Sequence, residues 1–351
     1  MSSLGDITLE RLYTECHPCQ LPNHPADKPL GLENGYTVGA RRLAVFAGTN
    51  WSFDQSAAHL KEFCGLELSD NTIRELCQQE SPKMEQWQQN DADSHKNFRA
   101  AEGEVEFTCD GTCVNTKEGW KEMRAAIFAK RMRGVTATPQ EWGTRHLPLP
   151  NVSIAFAGIA EKDVFRVQWG YWLNRLDITD ASVVSALADG APWIWDAVFL
   201  EFFGLAKENL DIYHALEYLS KKGDGLFGKE TAMSSIWFET MKWDLLEGGV
   251  KPVLDRVRLM ESVEQLDKNR ELLRVLENYL VFHSNRMNYR ERLAEGRSIG
   301  SGQIEGACKN LIGRRLKQTG VKWDRARVNR MATLCAVLYG EQWNDYWKTA
   351  H

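Results

Sequence analysis

An α/β fold is predicted: a mixed sheet with flanking helices, an all-helical insertion, and a small helical region in front. Three observations predict it. From Glu104 to Lys130, apolar and polar residues alternate on both sides of a turn, the period-two pattern of an antiparallel pair. Ser182–Ala188 is short and almost continuously apolar, as in a strand buried on both faces. Residues 215–296 contain no convincing strand and repeat leucines at three- and four-residue steps.

Composition narrows the class of protein. The chain has 351 residues, a formal net charge of −5, 43% hydrophobic and 26% charged residues. At roughly 100–200 residues per domain, two or three domains are expected. No run approaches the ~18 apolar residues that span a bilayer, and no apolar signal core opens the chain, so a cytoplasmic protein is expected. The acidic balance argues against a generic polyanion binder but leaves room for a local cationic surface. Of eight cysteines, only Cys16 and Cys19, in Cys16-His17-Pro18-Cys19, have metal-ligand spacing. A structural zinc needs four ligands and no second such pair follows, so Zn²⁺ is expected there only if other ligands are supplied.

In chain order, residues 1–35 end in a Pro/Gly/Asn-rich loop. Residues 36–100 form a helical region. Val38–Ala47 is helix-like, Ser52 caps Phe53–Phe63, Cys64-Gly65 stops that helix, and Ser69 caps a third. Helix, glycine turn, capped helix is the outline of a helix-turn-helix, although its second helix carries Asp70 and Glu75 beside Arg74. The tract Gln86–Asn97 reads as an exposed helix end or linker.

Residues 101–215 hold the strands. The first has one buried face (Val105, Phe107, Cys109) and ends at Asp110-Gly111-Thr112, with Lys121–Lys130 as its antiparallel partner. Val152–Ala157 and, less clearly, Val164–Trp169 are strand-like. Ser182–Ala188 ends at Asp189-Gly190, and Pro192 suits the first turn of a helix running to Phe203. Glu208–Ile212 reads as another strand, followed by a helix from Ala215. Residues 216–296 are the all-helical insertion, with Leu254–Phe282 as one long helix, and 297–351 return to the core.

Chemistry enters through charge. Glu305 sits in the glycine-rich stretch Gly300-Ser301-Gly302-Gln303-Ile304-Glu305-Gly306. Behind it comes an almost purely basic run: Lys309, Arg314, Arg315, Lys317, Lys322, Arg325, Arg327 and Arg330. Two strands end in Asp-Gly. Three carboxylates meeting at strand ends would form a hard oxygen site suited to Mg²⁺ or Mn²⁺, and a pair of such ions can drive in-line phosphoryl transfer. Glycine after each aspartate would let a substrate approach the backbone, and the basic run would grip a polyanion. Asp-Gly also marks ordinary turns, so the combination carries the reading.

The segments Asp110-Gly111-Thr112, Ala188-Asp189-Gly190-Ala191-Pro192-Trp193-Ile194-Trp195, Leu210-Asp211-Ile212-Tyr213-His214, Arg286-Met287-Asn288-Tyr289, Gly300 through Asn310 and Trp323 together resemble bacterial insertion-sequence transposases of the Kra type. These are mutator-like enzymes with an RNase H-like domain. The resemblance implies that Asp110, Asp189 and Glu305 are the acidic triad holding two Mg²⁺ or Mn²⁺ ions. It assigns Asp211 and His214 to a (Cys/Asp)-x-x-His signature that orders the active site or contacts DNA. His214 read by itself could equally be a satisfied core histidine. The resemblance further implies DNA partners (terminal inverted repeats and target DNA), a homodimer or larger active complex, and a bacterial, nucleoid-associated location. Lys309, Arg314, Arg315, Lys317 and Lys322 would hold the DNA. Relatives carry a longer N-terminus with a paired-cysteine zinc ribbon, so this chain is expected to start inside that ribbon, with Cys16 and Cys19 as its second half. Two alternatives stay open: a truncated or domesticated DNA-binding relative without cleavage, or another RNase H-like nuclease.

Overall fold

The computed structural model describes residues 30–179 and 181–349, together with 1–2, 7–8, 10, 14–15, 22–24 and 27. Cys16 and Cys19 lie outside the described residues, and so does the zinc expectation attached to them.

A five-stranded mixed sheet organises the chain. β1 (Glu104–Thr116) folds back as a hairpin onto β2 (Gly119–Arg131), where Gly119 has φ 95°, the left-handed region a tight hairpin needs. β2 pairs antiparallel with β3 (Val152–Gly158). On its other side β1 runs parallel to β4 (Val184–Ala188), and β4 parallel to β5 (Ala206–Leu210). The spatial order is therefore β3-β2-β1-β4-β5.

Fifteen described helices surround the sheet. The first four, α1 (Val38–Asn50), α2 (Phe53–Cys64), α3 (Asp70–Asn90) and α4 (Lys96–Ala100), precede it. Next come α5 (Lys162–Arg175), α6 (Pro192–Phe202) and α7 (Ile212–Phe227). The insertion continues with α8 (Ala232–Gly248), α9 (Val250–Val263), α10 (Asp267–Phe282) and α11 (Tyr289–Ala294). The chain closes with α12 (Gly302–Ala307), a π-helical turn (Cys308–Gly313), α13 (Arg314–Leu316), α14 (Arg325–Tyr339) and α15 (Trp343–Thr349). None of the described helices is long and apolar enough to cross a membrane.

Local chemistry sets the early helix ends. The side chains of Thr37, Ser52 and Ser69 accept from the N–H groups of Ala40, Gln55 and Thr72, and Gly65 ends α2 at φ 63°.

The two faces of the sheet are packed differently. On one, Phe107, Phe128, Trp169 and Phe202 form a buried aromatic cluster that continues into the helices of the insertion. Each such ring contributes several kcal/mol, and Phe107→Ala would cost about 3–5 kcal/mol. The other face is built from Ala125, Ile127, Ala129 and Ala155, against which α14 lies close, with α1 and α3 packed in turn on α14. Asn329 on α14 accepts from Ile159 N at 2.8 Å and donates to Ile159 O at 3.3 Å, covering the end of edge strand β3. The 36–100 and 216–296 segments are thus layers sharing cores with the sheet.

Several expectations need correcting. Glu106 and Thr108 are buried as well as the apolar set of β1, because helices cover both faces. β1 does not stop at Asp110-Gly111-Thr112 but runs to Thr116, since β2 supplies backbone partners beyond the end of β4. Val164–Trp169 lies inside α5, where Phe165, Trp169, Trp172 and Leu173 are buried at helical spacing and Val164 and Val167 face outward. Leu254–Phe282 is two helices, because the Glu264 carboxylate accepts from Gln265 N and Leu266 N, both at 2.9 Å, and turns the chain. The Gln86–Asn97 tract is partly internal: buried His95 meets Gln88 O at 2.9 Å and Gln342 Nε2 at 3.1 Å. The strand expected at Glu208–Ile212 lies at Ala206–Leu210, and α7 starts at Ile212 rather than Ala215 because Asp211 caps it.

Candidate functional site

Cys109, Ala188 and Leu210 pair across β1, β4 and β5, and the next residue in each strand is an aspartate. Asp110, Asp189 and Asp211 therefore form a row: Asp189 and Asp211 just past the carboxyl ends of β4 and β5, and Asp110 midway along β1, where its parallel pairing with β4 ends. Chain connectivity places α6 and α7 immediately after two of them. This is where open sheets with parallel strands collect chemistry.

Each aspartate is held differently. Asp110 is half-buried, accepts from Gly111 N at 2.6 Å, and receives the Cys308 thiol at 3.8 Å. Asp189 accepts from Ala191 N at 2.9 Å, and its carbonyl accepts from Trp195 Nε1 at 3.0 Å, which locks the turn into α6. Asp211 is fully buried and acts as a clamp. One carboxylate oxygen accepts from His214 N at 2.9 Å; the other accepts from Ser301 N and, at 2.8 Å, from the Ser301 hydroxyl. With Ile212 N bonded to Ile299 O at 3.0 Å, the clamp joins α7 to the loop that leads into α12 and Glu305. Ser301, which the sequence reading missed, is the other half of this clamp. Its only signal was its place between two glycines.

The glycines after the aspartates both have close neighbours. A side chain at Gly111 would meet the flexible end of Glu122 (Oε1 at 2.5 Å), and one at Gly190 would meet Tyr279 of α10 at 3.1 Å.

Electrostatics mark the row as short of positive charge. Burial, and then the neighbouring Asp189 charge, hold the Asp110 carboxyl above its usual range against the Gly111 hydrogen bond. Glu305, on the exposed side of α12, is raised too, first by partial loss of hydration and then by Asp211 and Asp110, with His214 opposing. Burial would also raise Asp211, but its hydrogen bonds with His214 and Ser301 outweigh it and the carboxyl stays low. Among the described residues, no lysine or arginine pairs with Asp110, Asp189, Asp211 or Glu305. The one basic partner is His214, whose Nδ1 lies 3.5 Å from Asp211. Its pKa is pushed up to about 8, chiefly by Asp211, with Asp189 and Asp110 adding to the effect.

The expected triad is only partly assembled. Asp110 and Asp189 are neighbours in register, whereas Glu305 draws towards the imidazole. Asp211, His214 and Glu305 can each present one ligand atom with all of these within 4.8 Å of one another; Asp110, Asp189 and Glu305 form no such group among the described residues. The donor chemistry, several carboxylates without a fixed cation, fits a hard divalent ion better than a soft one.

The basic run divides in two. Lys309, Arg314, Lys317 and Lys322 are exposed, and Lys317 reaches the Thr112 hydroxyl two residues past Asp110. Arg315 is corrected: it is 3% exposed, donates to Gly48 O at 2.7 Å, and lies over the rings of Phe53 and Trp323. Its guanidinium bonds α13 to α1 and is not available to a phosphate. The π-helical turn at Cys308–Gly313 lies directly behind Glu305; such turns are frequent at functional sites. In the α2–α3 pair, the first turn of α3 exposes Asp70, Asn71 and Glu75, so its outer surface is acidic.

No known family model matches this chain, and no curated protein matches it.

Proposed function

We propose that the chain is a divalent-metal-dependent DNA strand-cleaving and strand-transferring enzyme, a transposase of the Kra-type insertion-sequence group it resembles. One observation carries the reading. Asp110 and Asp189 stand side by side where the parallel pairing of β1 and β4 ends, and after a long helical insertion the chain returns Glu305 to the same region. The strand order β3-β2-β1-β4-β5, with its antiparallel and parallel halves, supports an RNase H-like assignment.

Asp110, Asp189 and Glu305 would hold the metal ions, Mg²⁺ or Mn²⁺. When bound, such ions supply an activated oxygen nucleophile and neutralise charge on the leaving oxygen of a phosphodiester. His214 places positive charge among the acids. Asp211 touches no substrate in this reading; it positions Glu305 by fixing Ser301. Lys309, Arg314, Lys317 and Lys322 hold the DNA backbone beside the acids. Hydrolysis at an element end would free a 3′-hydroxyl, and the same site would direct that hydroxyl at a target phosphodiester.

The test uses purified protein and duplex DNA taken from the flanks of the coding sequence, where inverted repeats would lie. Mg²⁺-dependent nicking at the repeat end is expected, and Asp110→Ala, Asp189→Ala and Glu305→Ala should each abolish it while DNA binding persists. Unchanged cleavage by all three variants would sink the assignment. Steeply salt-dependent binding without cleavage under any divalent ion would favour the non-cleaving DNA-binding alternative, and a preference for branched DNA the other-nuclease one.

A further inference from the structure

Tyr213 stands between Asp211 and His214 in the first turn of α7, yet it takes no part in the carboxylate cluster. Its side chain is 58% exposed, an unusual place for a large ring on a turn otherwise tied down by hydrogen bonds. The ring is also held in position. Trp142 packs against it with centroids 5.7 Å apart and planes tilted by 48°. Trp142 in turn follows a short 3-10 helix, Pro139–Glu141, fixed by a capping box in which Glu141 accepts from Thr138 N at 2.8 Å. On another side Gly300 comes near the ring, so that a side chain at that position would meet Tyr213 at 3.2 Å. Gly300 precedes Ser301, so the same loop that delivers Glu305 also seats this ring.

A rigid aromatic ring, flanked on two sides and open to solvent, adjoins a cluster of carboxylates beside a basic run. Flat aromatic rings bind nucleobases by stacking, irrespective of sequence, and the contact strengthens single-strand binding by about 1–3 kcal/mol per base. The most exposed rings that neighbour the sheet lie elsewhere: Trp120 near the hairpin turn of β1–β2, and Phe199 and Phe203 along or just past the end of α6.

We propose that Tyr213, backed by Trp142, is a stacking platform for one unpaired nucleobase next to the phosphate being attacked. The proposal rests on the DNA-cleaving reading above and names the form of DNA that the site takes: a duplex with at least one base freed from its stack at the reacting position. Specificity would then follow how easily the terminal base pair opens, in addition to any base-edge contacts.

The test compares wild-type protein, Tyr213→Leu and Tyr213→Phe on two oligonucleotides of the same sequence, one fully paired and one forked, with 2-aminopurine as the first unpaired base. Stacking should quench the 2-aminopurine emission on binding to wild type and to Tyr213→Phe, but not to Tyr213→Leu. Tyr213→Leu should also bind the fork about tenfold more weakly while binding the paired duplex normally. Because Tyr213 is exposed, the leucine variant should melt at the wild-type temperature, and circular dichroism checks this. Quenching retained in Tyr213→Leu, or equal loss on both oligonucleotides, would overturn the platform while leaving DNA binding intact. Failure of the wild type to bind either oligonucleotide would overturn the DNA reading itself, and the platform with it.

Discussion

The start and the middle of strand β1 handle acidic residues in opposite ways. At its start, Glu104 accepts from Arg133 and Arg297, each at 2.7 Å, and Glu106 pairs with Arg131 at 2.8 Å, so every acid has a guanidinium. A few residues further along the same strand, Asp110 has a backbone N–H, a thiol and more carboxylates for company. Balanced charge of the first kind holds a fold together. Unbalanced charge of the second kind destabilises the protein by itself and makes sense where a cation is to be bound. The contrast separates acids used up in ion pairs from acids left without a fixed counter-charge, without reference to any relative.

Neutralising an acid of each kind should therefore give opposite phenotypes. The largest effect is expected from Asp110→Asn, which should lower metal-dependent DNA cleavage by roughly 10³-fold or more while leaving the melting temperature unchanged or higher. A stability loss of the size seen for a core mutation would put Asp110 with the structural acids and break the comparison. Glu106→Gln should do the reverse, leaving the half-buried Arg131 without its counter-charge at a cost of about 1–3 kcal/mol in denaturant unfolding.

The comparison sharpens with pH. Arg297 and Arg133 outweigh the burial that would raise Glu104, so its folded pKa lies below the ordinary 4.5. A depressed carboxyl contributes stability above its unfolded pKa and loses it as pH falls. Asp110 is raised above 3.8, so its ionised form costs stability as pH rises through its folded value. Unfolding measured from pH 7 down to pH 3 should show Glu104→Gln less stable than wild type at neutral pH, with the gap narrowing below about pH 4.5. Asp110→Asn should start level with or above wild type at pH 7 and lose any advantage as the medium becomes acidic. Two curves of the same sign would contradict the division drawn between the start and the middle of β1.

The smallest effects test the basic run. Lys317→Ala should weaken DNA binding and flatten the log–log salt dependence by about one ion. Arg315→Ala should instead cost about 1–3 kcal/mol of stability by leaving the Gly48 carbonyl without its donor, with no specific change in the salt slope. If Arg315 changed the slope and Lys317 did not, the assignment of one to packing and the other to DNA would be reversed.

Much of this was legible in the sequence because it is local. Alternation reported the β1–β2 hairpin, an apolar run reported β4, serines announced the caps of α2 and α3, and the lack of strands marked the helical insertion. The spacing also picked out Asp110, Asp189 and Glu305 as acids in unusual company. Tertiary structure alone decided which charges are used up. Glu104 meets Arg297, Asp211 meets Ser301, and Arg315 meets Gly48, all across long stretches of chain. Periodicity records which face a residue occupies within its own element. It carries no information on what a distant element brings to that face. For the same reason Asp211 read as a signature residue of open role, and became a clamp only when the loop before Glu305 was seen to close on it.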